Sequence, residues 1–258
     1  MTLIVAIRCA DGVVIGSDGA ATFAPMGQPT IRQPITSKIT VIDGSLVLGV
    51  SGSIGVAQRI AAEIERQNAG GALTGARAVD VGVTLRDAIW NGVLSHEYQI
   101  AAVAQPVIGG LAQQDALCSC LLALPGSQRS ELIQFDHVAS PEVATDDLPF
   151  VTIGSGQQTA DPFLAFLKRI FWPSRLPNLG EGTFAVLWTL QHAIGVNPGG
   201  LSDPKTVYNL SNVGGQWQAH RLDDSDVAEH LEAVSAAEQR LRSFAQDSEP
   251  TGPPPPSP

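Results

Sequence analysis

The chemistry of this chain starts at its second residue. Thr2 directly follows Met1. Removal of Met1, the usual fate of an initiator methionine before a small residue, would leave a hydroxyl nucleophile and an α-amine on one residue. A free α-amine titrates near ~8 and can accept a proton at neutral pH. A serine nucleophile inside a chain borrows a histidine for that task, whereas a terminal threonine carries its own base.

The elements that must position Thr2 are legible nearby. Leu3-Ile4-Val5-Ala6-Ile7 is apolar and rich in β-branched residues, Ala10-Asp11-Gly12 is a turn, and Val13-Val14-Ile15-Gly16 runs back to Ser17-Asp18. Asp-Gly between two apolar runs is a strong hairpin signal. A hairpin returns the end of its second strand beside the start of its first, so Asp18 is expected close to Thr2 across 16 positions of sequence.

The stretches TLIVAI and DGVVIGSDGAAT resemble the opening of a proteasome β-subunit, an N-terminal-nucleophile hydrolase. Three further motifs follow in phase: Ser37-Lys38-Ile39, Leu48-Gly49-Val50-Ser51-Gly52, and Val151-Thr152-Ile153-Gly154-Ser155-Gly156. Four motifs in order over about 155 residues form a specific signal; after them the likeness thins. The closest resemblance is to the small bacterial proteasome homologues, which lack a long propeptide; here only Met1 precedes Thr2.

The resemblance implies acyl transfer. The Thr2 hydroxyl attacks a peptide carbonyl to form an ester, which water assisted by the Thr2 amine then hydrolyses. Lys38 would be the ammonium beside that hydroxyl, with Asp18 as its compensating carboxylate. The backbone N–H of Gly52 would point at the reacting carbonyl oxygen, and Ser155 would bond near the Thr2 amine. Thr22 would hold substrate main chain by β-pairing. Ala21, Val50 and Ile54 would line the first side-chain pocket, whose apolar character implies cleavage after apolar residues. The family adds a supporting aspartate and serine before a late strand. In Gly195–Pro204 the spacing departs from that pattern and leaves Asn197, Ser202 and Asp203 open for the role.

Composition bounds the alternatives. The 258 residues are 44% hydrophobic, enough for a substantial core, and carry a formal net charge of −10. That charge opposes a nucleic-acid partner, because phosphate binding needs a basic face. No apolar run approaches membrane-spanning length, and no secretory signal is present. Cys9, Cys118 and Cys120 read as reduced, partly buried thiols of a cytosolic protein. His96, His137, His192, His220 and His230 are scattered without ligand spacing, so no metal is expected, and neither is another cofactor. No phosphate-binding Gly-x-x-x-x-Gly-Lys-Ser/Thr loop occurs, which leaves any unfolding ATPase to a separate chain.

Residues 19–36 read as a loop or irregular hairpin, and Lys38–Ile42 and Leu46–Val50 as strands. Helices are expected over Ile54–Gln67, with Arg59, Glu63 and Glu65 outside, and over Val79–Tyr98, with Val83, Ile89, Trp90, Val93 and Leu94 inside. Ala116–Leu124, Glu131–Asp136 and Val151–Ile153 read as strands. Two helices follow, Gln158–Phe171 and one from Leu179 or Gly182 to Ile194, separated at Trp172-Pro173. A last hairpin, Val207–Leu210 with Gln216–Leu222, precedes a charged helix from Asp223 to Phe244. The pattern is α+β, and with the resemblance it becomes a four-layer α/β/β/α sandwich. A single hydrolase domain is expected over residues 1–245, with a disordered Pro-rich tail over 246–258.

The function implied is that of a cytoplasmic threonine endopeptidase subunit acting on peptides or unfolded proteins inside a homo-oligomeric ring. The resemblance favours two heptameric rings, a 14-mer, over a 12-mer or an open spiral. Two rivals keep the fold: an amidase acting on small molecules, and a non-catalytic ring subunit.

Overall fold

A computed structural model describes residues 2–23, 31–34, 38–73, 75–108, 118–197 and 199–247. The expected tail from 248 onward and the first residues of the expected 116–124 strand lie outside them.

Two five-stranded antiparallel sheets face each other. The first has the order β10-β1-β2-β11-β12, built from Phe150–Ile153, Ile4–Arg8, Gly12–Ser17, Thr206–Val213 and Gln216–Arg221. The second has the order β5-β6-β7-β8-β9: Ile39–Ile42, Leu46–Ser51, Ser119–Pro125, Ser130–Phe135 and Pro141–Val143. A separate ribbon pairs β3 (Ala20–Phe23) with β4 (Ile31–Pro34). This ribbon occupies the stretch expected as loop or irregular hairpin.

Strand alternation decides which core each residue joins. In β1, Ile4 and Ala6 face the second sheet and pack with Ile15, Val47, Leu121 and Leu132. Leu3, Val5 and Ile7 face the opposite way, against Leu164, Val186 and Leu190. Both faces of β1 are therefore buried, which is why the run from Leu3 to Ile7 is continuously apolar. Helices α4 (Gln157–Phe171), α5 (Leu179–Val196) and α6 (Asp224–Asp247) supply the layer over the first sheet. Helices α1 (Ile54–Ala69), α2 (Ala78–Ile89) and α3 (Ser95–Ile108) cover the second. The four layers are α/β/β/α, as expected from the sequence.

Four local expectations are corrected. Glu63, placed on the outside of α1 by sequence, is 5% exposed; its carboxylate accepts from Arg66 and, at 2.9 Å, from Gln67 Nε2, one turn further along. Val83 is exposed, because Val81, Leu85 and Ile89 form the buried stripe of α2 and Val83 falls between its turns. The expected helix over 79–98 extends to Ile108 through a π-helical turn at Trp90–Leu94, which inserts an extra residue and turns both Val93 and Leu94 inward. The C-terminal helix also outruns its expected end at Phe244, reaching Asp247.

Candidate active site

The hairpin of β1 and β2 sets the site. Ile4 pairs with Ser17, so the two strands end together. One step beyond the ladder, the Asp18 N–H donates to the Leu3 carbonyl at 3.1 Å, and the Leu3 N–H donates to Asp18 Oδ1 at 2.8 Å. Asp18 Oδ2 accepts from the Ala20 N–H at 3.0 Å. These bonds fix the carboxylate beside the peptide bond joining Thr2 to Leu3.

Lys38 approaches from the start of β5, and its Nζ lies 2.5 Å from Asp18 Oδ1. The same carboxylate oxygen thus bridges the Leu3 N–H and the Lys38 ammonium. The side chains are 5% and 0% exposed, so the pair is almost dry. Burial pushes the Lys38 pKa below its ordinary value, and the charge and hydrogen bond of Asp18 oppose that shift.

The turn Gly154-Ser155-Gly156, between β10 and α4, closes the other side. The Thr2 nitrogen donates to Ser155 Oγ at 3.2 Å, and the Gly156 N–H donates to the Thr2 carbonyl at 3.2 Å. While Met1 is attached, that Thr2 nitrogen is a peptide nitrogen; it occupies the position of the α-amine that Met1 removal would free. Gly154 has φ +99°, and a Cβ there would stand 2.2 Å from the Thr2 oxygen and 3.1 Å from Ser51 Oγ. Only a residue without a side chain lets the turn come this close.

Thr2, Asp18, Lys38 and Ser155 therefore meet at one place. Gly52 follows Ser51 at the junction between β6 and α1, with φ +136°, and is exposed. Ile54, at the start of α1, is also exposed, whereas Val50 is half-buried and packs against the core beneath α1. Ala21 and Thr22 lie on β3, opposite Gln33 and Arg32 of β4. Among the described residues the other edge of β3 has no strand partner.

The loop after α5 reaches the site differently from the family pattern. Asn197 caps the helix end. Ser202 arrives through its carbonyl, which accepts from the Gly19 N–H at 2.7 Å, and Asp203 is ion-paired with Lys205 at 2.6 Å. A Cβ on Gly19 would sit 2.5 Å from the nitrogen and oxygen of Pro204. Sequence pattern alone does not predict this docking onto the residue after Asp18. Its signal in the sequence was the small residue between Asp18 and Ala20, which leaves room for another segment's backbone.

Cys9, Cys118 and Cys120 are free and fully buried, rather than partly buried as expected. Desolvation raises all three thiols above the ordinary range, Cys118 to about 12, so they are poor nucleophiles. Among the described residues, no group of three or more His, Cys, Asp or Glu is arranged to hold a metal ion. None of their helices is long and apolar enough to cross a membrane.

Two packed sheets between helical layers, with a threonine at the head of the first strand and a buried lysine–aspartate pair beside it, define the N-terminal-nucleophile hydrolase type of fold. The chain belongs to the proteasome subunit family, whose model matches residues 2–169. The structure is similar to that of Anbu (ancestral beta-subunit) from Yersinia bercovieri, with 16% identity and a TM-score of 0.69 over 98% of this chain and 100% of that one. It is likewise similar to an Anbu (Gly-1) mutant from Hyphomicrobium sp. strain MC1, with 18% identity, TM-score 0.65 and the same coverage. A third similar structure is the helical assembly of the Anbu complex from Pseudomonas aeruginosa, with 16% identity and TM-score 0.62 over 99% of this chain and 98% of that one. At these identities the likeness speaks for the fold. No curated protein matches the chain.

Proposed function

We propose that this chain is a threonine endopeptidase subunit whose nucleophile is the Thr2 hydroxyl once Met1 is removed. The observation that carries the reading is the single oxygen, Asp18 Oδ1, held between the Lys38 ammonium and the Leu3 N–H. That contact brings a desolvated positive charge to the backbone of the nucleophile, where it lowers the cost of forming an alkoxide. The Thr2 amine, bonded to Ser155 Oγ, takes the hydroxyl proton and returns it to the leaving amine. Gly52, at the N-terminal end of α1, offers an N–H to the oxyanion; removing one such donor costs about 3 kcal/mol.

Substrate would lie along the edge of β3 away from β4, at Thr22, with Ala21, Val50 and Ile54 lining the pocket for the residue before the cut. Their apolar character selects apolar substrates. The hydrolase domain spans residues 1–245 and carries a Pro-rich tail. The protein works in the cytoplasm as a homo-oligomer that encloses its sites. The helical assembly of the similar Anbu complex favours an open spiral alongside the closed double ring.

Intact mass before and after treatment with a peptide epoxyketone or boronate tests the reading. The expected result is loss of Met1 and one adduct per chain on Thr2, absent in Thr2→Ala. A Met1-free protein that gains no adduct overturns it. Negative-stain microscopy of the same sample decides between closed rings, spirals and small oligomers.

A further inference from the structure

We infer that Asp161 is a positioning residue for Ser155 and Thr2: its carboxylate staples the strand before the Gly154-Ser155-Gly156 turn to the helix after it. The inference rests on the peptidase reading above for its catalytic consequence, but the staple itself is a structural claim.

Val151 and Ile153 of β10 point into the core between the sheets. Alternation turns Thr152, between them, toward the helical layer, where it is 1% exposed. A valine would fill the same space without needing a partner. The threonine hydroxyl does need one, and it donates to Asp161 Oδ1 on the second turn of α4. The other carboxylate oxygen, Asp161 Oδ2, accepts from Gln157 Nε2 at 3.0 Å. Gln157 is the first residue of α4. The Thr152–Asp161 bond therefore links the strand entering the three-residue turn to the helix leaving it, and the Gln157–Asp161 bond, within the first turns of α4, holds the carboxylate in place for it.

Ser155 is exposed at the tip of that turn, so its placement is inherited from the two ends. The turn has little slack. The Gln157 N–H donates to the Gly154 carbonyl at 3.1 Å, and Gly156 accepts from Thr159 and Ala160, each at 3.1 Å. A Cβ on Gly156 would stand 2.9 Å from Leu3 Cβ. A tilt of α4 relative to β10 thus either drives the turn into Thr2 and Leu3 or withdraws Ser155 Oγ from the Thr2 nitrogen. Asp161 opposes that tilt, because from α4 it holds the hydroxyl of the buried Thr152 of β10 in a hydrogen bond.

The test compares the Met1-free wild type with Asp161→Ala, Asp161→Asn and Thr152→Val. In Asp161→Ala, kcat on an apolar fluorogenic peptide and the rate of Thr2 labelling by an epoxyketone should each fall about ten-fold with KM unchanged, the signature of a misplaced reacting group. Asp161→Asn keeps an oxygen for Thr152 and should recover most of the rate. Wild-type kcat in Asp161→Ala, or a change in KM alone, overturns the inference. If Asp161→Ala does not fold, Asp161→Asn and Thr152→Val carry the same comparison, each expected to show a smaller kcat loss, and wild-type kcat in both overturns it. Should the wild type itself neither label nor turn over, the peptidase reading fails, and the staple is judged by amide hydrogen exchange. Faster exchange at Gly156 and Gln157 in the variants, with the second half of α4 unchanged, supports it, and unchanged exchange there overturns it.

Discussion

Lys38 Nζ lies 2.5 Å from Asp18 Oδ1, and the two side chains are almost wholly removed from solvent. A charge pair this dry is costly to assemble and costlier to break. Lys38→Met leaves the Asp18 carboxylate buried with only backbone donors, and we expect a loss of about 3–5 kcal/mol of stability by urea unfolding. Peptidase activity should fall by at least about 10²-fold. The double variant Lys38→Met/Asp18→Asn should regain stability over Lys38→Met without regaining activity. Strict additivity of the two stability losses would show that the groups do not interact.

The depressed pKa of Lys38 gives two pH signatures of opposite sign. Between its folded value and the ordinary lysine value near ~10.4, the unfolded chain binds more protons than the folded one. Stability contributed by this group therefore rises with pH across that window and is flat below it, where both states hold the ammonium. Urea unfolding from mildly to strongly alkaline pH should show this rise in wild type relative to Lys38→Met. Activity that depends on the ammonium should fall over the same window, giving an alkaline limb of kcat below the ordinary lysine range. A limb at or above that range would count against the assignment.

Two glycines hold neighbouring backbones at contact distance. A Cβ on Gly154 would overlap the Thr2 carbonyl in a left-handed conformation, and one on Gly19 would overlap Pro204. Gly154→Ala should cost roughly 1–3 kcal/mol from backbone strain alone, and steric displacement of Thr2 should abolish epoxyketone labelling. Gly19→Ala should likewise destabilise the fold by pushing the Ser202 carbonyl off the corner after Asp18. Thermal unfolding and labelling rates measured on both variants check this. A stable, fully reactive Gly154→Ala would refute the packing.

Arg8 offers a control remote from the chemistry. It stands six residues along β1 from Thr2, roughly 20 Å away. It is 3% exposed, pairs with Glu131 at 3.3 Å and Asp146 at 2.9 Å, and donates to the carbonyls of Ser130 and Ala144. Arg8→Met should lower stability by about 3 kcal/mol by orphaning those acceptors. The labelling rate of Thr2 in the folded protein should stay unchanged. A large fall in labelling rate would show that the hairpin transmits disorder along its length.

With the resemblance supplying the order of the layers, the sequence by itself determined the hairpin, the placing of Asp18 beside the head of β1, and the α+β class. These follow from local pattern: alternation, Asp-Gly turn chemistry and the continuous apolar run that a strand buried on both faces requires. The resemblance then singled out Lys38, Gly52 and Ser155, and the structure brings Lys38 and Ser155 to Thr2 from β5 and from the turn before α4. Only the tertiary structure decided which carboxylate oxygen Lys38 shares with Leu3, that Ser202 reaches the site by its carbonyl, and that Asp161 ties Thr152 to Gln157. It also decided that Glu63 is buried. Each of these depends on the distance between segments far apart in sequence, and a charged or polar residue has the same local pattern whether it faces water or a partner across the fold.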